Sequence, residues 1–179
     1  TLDEKGIPDT AEERFKIAET IVTTAEKYGI AKEDILIDCL VLTASAQQKE
    51  VNETLKAIKL VREKLGVKTV LGVSNVSFGL PNRGLLNKTF LTLALHSGLT
   101  TPILNPQNEE MMSTIQAFNV LMNYDKDSMK YIEHFNNNKV EIKNIQTSEL
   151  ELPEIINLGL KEEGKNKISF SNRFSRSLR

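Results

Sequence analysis

Three short apolar runs, each separated from the next by a helix-patterned stretch, constrain this chain more than any other feature. They are Ile35-Leu36-Ile37-Asp38-Cys39-Leu40-Val41-Leu42, Thr69-Val70-Leu71-Gly72-Val73-Ser74 and Thr101-Pro102-Ile103-Leu104-Asn105-Pro106. Short, nearly continuous apolar runs suit strands covered by helices on their faces, as in parallel sheets. A helix is predicted before the first run, from about Ala11 to Tyr28. Thr10 and Glu13 form a Thr-x-x-Glu start signal, Phe15, Ala18, Ile21, Val22 and Ala25 recur at helical spacing, and Gly29 ends it. A second helix is predicted over about Gln48 to Leu65, with Val51, Leu55, Ile58 and Leu65 on its buried stripe and Gly66 beyond it. A third covers Leu85 to His96, and a fourth follows the last run from Glu110 to Met122.

Strands alternating with helices at this spacing predict βαβ units and a parallel sheet. The fold class expected is therefore α/β. A closed (β/α)8 barrel needs eight strands and typically about 250 residues. The 179 residues here carry three strong strands. Either the sheet is small and open, or it is part of a larger barrel. In both cases ligands belong beyond the carboxyl ends of the strands, where the loops leading into the helices gather.

Composition narrows the function classes. Acidic and basic residues nearly cancel, with a formal net charge of -1, so nothing pulls the chain toward nucleic acid or an acidic membrane. No apolar run approaches the roughly 20 residues that span a bilayer. Cys39 is the sole cysteine, which excludes an intrachain disulfide and fits a reducing, cytoplasmic setting. It sits among apolar residues with no adjacent base and reads as a small packing residue. No metal-ligand cluster is expected; His96 reads as a structural or surface residue and His134 as a solvent-exposed one. The chain begins Thr1-Leu2-Asp3 without an initiator Met, which raises the expectation of an excised or truncated chain.

Two places could carry chemistry. Asp38 stands in an otherwise apolar run, and a buried carboxylate needs a partner or a polar cavity. It is either a structural Asp bonded to backbone or to a buried Arg, or a ligand contact facing into a barrel. The second place is Gly72-Val73-Ser74-Asn75-Val76-Ser77-Phe78-Gly79-Leu80-Pro81-Asn82-Arg83. Asn75 directly follows a strand, and its amide both donates and accepts hydrogen bonds, which suits the edge of a heterocycle. Gly72 and Gly79 permit close backbone approach. On residue types alone, an ordinary Asn/Gly turn with a surface Arg83 fits as well.

The segments Asp3-Glu4-Lys5-Gly6-Ile7-Pro8 with Ala11-Glu12-Glu13-Arg14, Ile37-Asp38 with Leu40-Val41, Gly72 through Pro81, and Asn105-Pro106 occur here in order. Together they resemble the second half of the pterin-binding domain of cobalamin-dependent methionine synthases. They are also similar to the methyltetrahydrofolate:corrinoid/iron–sulfur protein methyltransferases. The Ser-Asn-Val-Ser segment is the most specific part. The resemblance implies a pterin-binding (β/α)8 barrel of the TIM type with a C-terminal helical extension. It implies a methyltransferase that moves the methyl group of 5-methyltetrahydrofolate to a corrinoid, as in methionine synthesis. It places Asn75 near the pterin N5 as the catalytic group. Asp38 pairs with the pterin ring, and Gly72, Ser74, Arg83 and Asn105 line the same site. Cobalamin is carried by a partner domain in cis or a partner protein in trans, and is not bound by this chain.

The chain is expected to divide into 1–123, the C-terminal half of the barrel; 124–164, a helical linker; and 165–179, a tail whose Lys165, Lys167, Arg173, Arg176 and Arg179 among serines and asparagines predict disorder. Leu158-Gly159-Leu160-Lys161-Glu162-Glu163 looks like the start of a cobalamin-module cap. A missing N-terminal half-barrel is the expected partner of residues 1–123, and the isolated chain is expected to be inactive. Two other readings remain: a dihydropteroate-synthase-like pterin enzyme, against which the Ser-Asn-Val-Ser loop argues, and a non-catalytic fragment that needs a complementary half-barrel.

Overall fold

The computed structural model describes residues 1–137; the expectations for the rest of the helical linker, the cobalamin-module cap and the tail lie outside them. Helix α1 spans Ala11–Lys27. The Thr10 hydroxyl accepts from the amide of Glu13 at 3.3 Å and donates to its carboxylate at 2.9 Å. The carboxylate thus binds the capping hydroxyl, whereas in a full reciprocal box it would reach the Thr10 amide. The second half of the α1 cap comes from α2: Glu53 Oε2 accepts from the amide of Ala11 at 2.9 Å.

Strand β1 is Leu36–Asp38, β2 is Lys68–Gly72 and β3 is Thr101–Ile103, paired in the order β1-β2-β3. Both pairings are parallel, with Asp38 opposite Val70 and Gly72 opposite Ile103. Helix α2, Gln48–Leu60, follows β1, and a π-helical turn, Val61–Leu65, carries it to the left-handed Gly66. Helix α3, Arg83–His96, follows β2; helix α4, Glu109–Leu121, follows β3; and α5, Met129–Asn137, packs against α4. Helix α5 belongs to the same compact unit as the sheet.

The pleat sorts the strand residues into two faces. Ile37, Thr69 and Leu71 are buried with Ala18, Val22, Ala57, Ile58 and Leu91, which makes the helix-covered face the core. Each such aliphatic side chain contributes roughly 1.5–3 kcal/mol by its burial. The other face holds Leu36, Asp38, Val70, Gly72, Thr101 and Ile103, which the register places side by side. Leu36 and Ile103 remain 46% and 59% exposed there. Among the described residues this face is uncovered, so the strands are buried on one side only.

The strands are shorter than their apolar runs. The first run leaves the sheet at Asp38, because Asp38 Oδ1 accepts from the amide of Leu40 and Leu40 takes a left-handed φ of +55°. The second run turns into a 3₁₀ turn, Val73–Ser77, directly after Gly72. The third stops at Ile103, and Asn105 Oδ1 accepts from the amide of Gln107 at 3.0 Å to start the next turn. The buried stripes are also rotated from the expected ones. On α1 they run through Ala11, Arg14, Ala18 and Val22, while Ile21 is 43% exposed. On α2 they run through Glu50, Thr54, Ala57 and Ile58.

Candidate functional site

Parallel strands bring their carboxyl ends to one edge, and every predicted site residue lies at or just beyond that edge. Asp38 ends β1, Gly72 ends β2, and Ser74 and Asn75 lie on the 3₁₀ turn that follows. Arg83 is the first residue of α3, and Asn105 follows β3. Asp38 stands last, not central, in its strand. Its Oδ1 is held at 2.8 Å by the Leu40 amide. Its Oδ2 has no hydrogen-bond partner among the described residues.

Asn75 folds back over β2. A Cβ built on Gly72 would lie 3.1 Å from Asn75 Nδ2, so the amide occupies the space into which a side chain at residue 72 would project. By the pleat that space is on the uncovered face, the face that also carries Asp38 on the neighbouring strand. Asn75 is exposed, and among the described residues its amide makes no hydrogen bond.

The turn that carries Asn75 is braced from two sides. Arg83 Nε donates to Ser77 Oγ and Arg83 Nη2 to the Ser74 carbonyl, each at 3.0 Å. Ser74 therefore contributes its carbonyl to the brace, and Arg83 spends two of its nitrogens there. From the other side, Thr43 Oγ1 and Ser45 Oγ both donate to the Phe78 carbonyl, at 2.7 and 3.0 Å, and the Ala44 amide donates to the Val76 carbonyl at 2.9 Å. The loop after β1 is thus clasped to the loop after β2. Asn105 stands at the same edge, with its oxygen already used in the turn to Gln107.

A buried network beneath this edge went unread in the sequence. Arg14 is fully buried and every guanidinium nitrogen is bonded: Nε to the Pro8 carbonyl, Nη1 to the Leu40 carbonyl and Thr54 Oγ1, Nη2 to Glu50 Oε2, all at 2.8 to 2.9 Å. The sequence signal was available. Arg14 interrupts the stripe Ala11, Ala18, Val22, and Glu50 begins the stripe Thr54, Ala57, Ile58. Cys39 is fully buried beside this network, and burial pushes its thiol up to about 12. His134, expected at the surface, is half-buried: its Nε2 is enclosed without a hydrogen-bond partner, 3.9 Å from Glu109. His96 is exposed. Concavities elsewhere do not involve the edge; one lies between Asp3–Asp9 and the start of α1, another between α3, α4 and α5. Among the described residues no group of three metal-ligating side chains occurs, and no helix is long and apolar enough to cross a membrane.

Parallel βα units with polar side chains gathered past the strand ends define an α/β protein of the class that binds ligands at that edge. The family model described as pterin binding enzyme matches residues 3–105, and the chain belongs to that family. The three βα units are thus an arc of a TIM-type barrel. Among curated proteins, a methylcorrinoid:tetrahydrofolate methyltransferase of Eubacterium limosum is 31% identical over 141 residues, 78% of this chain and 52% of that protein. Methionine synthases of Mycobacterium leprae (strain TN) and Mycobacterium tuberculosis (strain ATCC 25618 / H37Rv) are 37% and 35% identical over 113 residues, 59% of this chain. The chain spans about half the length of the first relative, and 9% and 10% of the other two.

Proposed function

We propose that this chain forms the C-terminal part of the pterin site of a methyltransferase that exchanges a methyl group between the N5 of tetrahydrofolate and a corrinoid. The observation that carries the reading is the pairing of Asp38 and Asn75. Both lie on the uncovered face at the carboxyl edge of adjacent parallel strands, both offer polar atoms without partners among the described residues, and both fall within the family match.

The chemistry asks for two things that these side chains can do. A pterin presents adjacent N–H donors on its pyrimidine ring, and a carboxylate with a fixed Oδ1 and a free Oδ2 is suited to receive them. At the other end of the heterocycle, N5 is a poor leaving group until it carries a proton or a strong hydrogen bond. Asn75 has no acidic proton to give, but its amide oxygen can accept from a protonated N5, with the proton itself delivered through water. A bond stronger in the transition state than in the ground state lowers the barrier selectively. The corrinoid, held by another domain or protein, supplies the metal-centred methyl acceptor or donor. The residues on this chain orient the pterin and stabilise charge at N5 in either direction of transfer.

The corrinoid belongs on a separate protein in this reading. The match to the Eubacterium limosum relative extends over more of the chain than the matches to the methionine synthases. A protein of which 141 residues make 52% is about 270 residues long, the size of one barrel. The remaining barrel strands would pair with the two open edges, on β1 and β3, and the uncovered face with Leu36, Val70 and Ile103 would then line the barrel interior.

Calorimetry with 5-methyltetrahydrofolate on the full-length protein tests the reading. Asp38→Ala is expected to weaken binding by about 10- to 100-fold, the range for a hydrogen bond to a charged group. Wild-type affinity in that variant would remove Asp38 from the site.

A further inference from the structure

Leu40 is a branched residue held at φ +55°, immediately after Asp38. L-residues other than glycine, asparagine and aspartate rarely adopt this conformation, and it persists only where the surroundings over-determine it. Here they do. The Leu40 amide donates to Asp38 Oδ1 at 2.8 Å, and the Leu40 carbonyl accepts from Arg14 Nη1 at 2.9 Å and, at 3.0 Å, from Thr54 Oγ1, which shares its one proton with the Glu50 carbonyl at the same distance and itself accepts from Arg14 Nη1. Arg14 comes from α1 and Thr54 from α2, and both are 0% exposed. Arg14 is itself fixed by Glu50 and by the Pro8 carbonyl, each through a single short bond.

Two helices therefore converge on one carbonyl, and the residue that carries it is the one whose own amide grips the carboxylate. We propose that Arg14 and Thr54 are positioning residues for Asp38: through the Leu40 carbonyl they lock the strained turn that fixes Oδ1 and leaves Oδ2 for the donor edge of the pterin. The inference rests on the ligand-contact reading of Asp38 and adds the device that preorganises it. Packing alone gives no reason for a leucine at this φ, since a glycine would make the same turn without strain. Neither Arg14 nor Thr54 touches the ligand in this account, so each acts only through Asp38.

The test is a double-mutant cycle in the full-length protein, reading 5-methyltetrahydrofolate affinity and thermal midpoint together. Thr54→Val keeps the shape and removes the hydroxyl; it should weaken pterin binding about tenfold, in the range of couplings within one hydrogen-bond network. Thr54→Ser should restore wild-type affinity. In an Asp38→Ala background, Thr54→Val should cost no further affinity while lowering the thermal midpoint as before. An equal loss of affinity in both backgrounds, or none in either, overturns the positioning role. Wild-type affinity in Asp38→Ala alone overturns the ligand-contact reading itself, and the inference with it. Should Thr54→Val fail to fold, Arg14→Lys carries the same cycle, because it retains the charge and loses the fork that reaches the Leu40 carbonyl.

Discussion

Asn75 lies over Gly72 so closely that a Cβ on the glycine would sit 3.1 Å from the Asn75 amide nitrogen. The contact explains why the second strand ends on glycine. Its φ of -78° is open to any residue, so the requirement is for space, not for backbone freedom. Gly72→Ala should leave the fold intact and push the Asn75 amide aside. The amide has to give by a few tenths of an ångström, less than the ångström that can cost about 100-fold in rate. We expect methyl transfer to fall about 2- to 10-fold with little change in thermal midpoint, measured by single-turnover kinetics and differential scanning calorimetry.

The clasp between the loops makes a separate prediction. Thr43 and Ser45 donate to one carbonyl, that of Phe78, three residues past Asn75. Replacing both, as Thr43→Val with Ser45→Ala, leaves that carbonyl to water. Amide exchange should quicken over Val76–Gly79 and not in α1 or β2, as followed by hydrogen–deuterium exchange. Uniform protection would show that the backbone bond from Ala44 to Val76 holds the loops by itself.

The Arg14–Glu50 pair is buried at 2.9 Å, with side-chain exposures of 0% and 11%. Removing one partner strands a charge in the core, and such changes typically cost about 3–5 kcal/mol. Glu50→Ala should therefore lower stability by that order in urea unfolding. Lys56→Ala, which breaks the exposed pair with Glu53, should stay close to wild type.

Cys39 gives the pH dependence its alkaline limb. Burial raises its thiol from 9.0 to about 12, so the folded chain holds the proton that the unfolded chain releases. Below about pH 9 both states are protonated and stability is unaffected. Between about 9 and 12 the unfolded state binds fewer protons, and stability falls as pH rises. Cys39→Ala should flatten that part of the profile. In the wild type, alkylation at pH 8 should require unfolding.

Much of this was readable from residue order. The three apolar runs announced the parallel strands, and Asp38, Gly72, Ser74, Asn75, Arg83 and Asn105 all fall at the edge where parallel strands end. The strand ends were harder to read. Apolarity continues through Cys39, Val41 and Leu42, but the sheet stops at Asp38 because a side-chain bond to Leu40 outcompetes the ladder. The rotated helix stripes were hidden for a related reason. Arg14 and Glu50 look like surface charges on any hydrophobicity scale, and only their pairing across two helices makes burial tolerable. The bracing role of Arg83 needed the actual turn, because its partners are the Ser74 carbonyl and the Ser77 hydroxyl.

The central claim is that the Asn75 amide stabilises charge at N5 during methyl transfer. Single-turnover transfer between 5-methyltetrahydrofolate and a reduced corrinoid protein, with the full-length protein carrying Asn75→Ala, tests it most directly. Loss of one hydrogen bond made in the transition state predicts a rate lower by about 10²–10³, with an unchanged thermal midpoint. A wild-type rate in that variant would contradict the account.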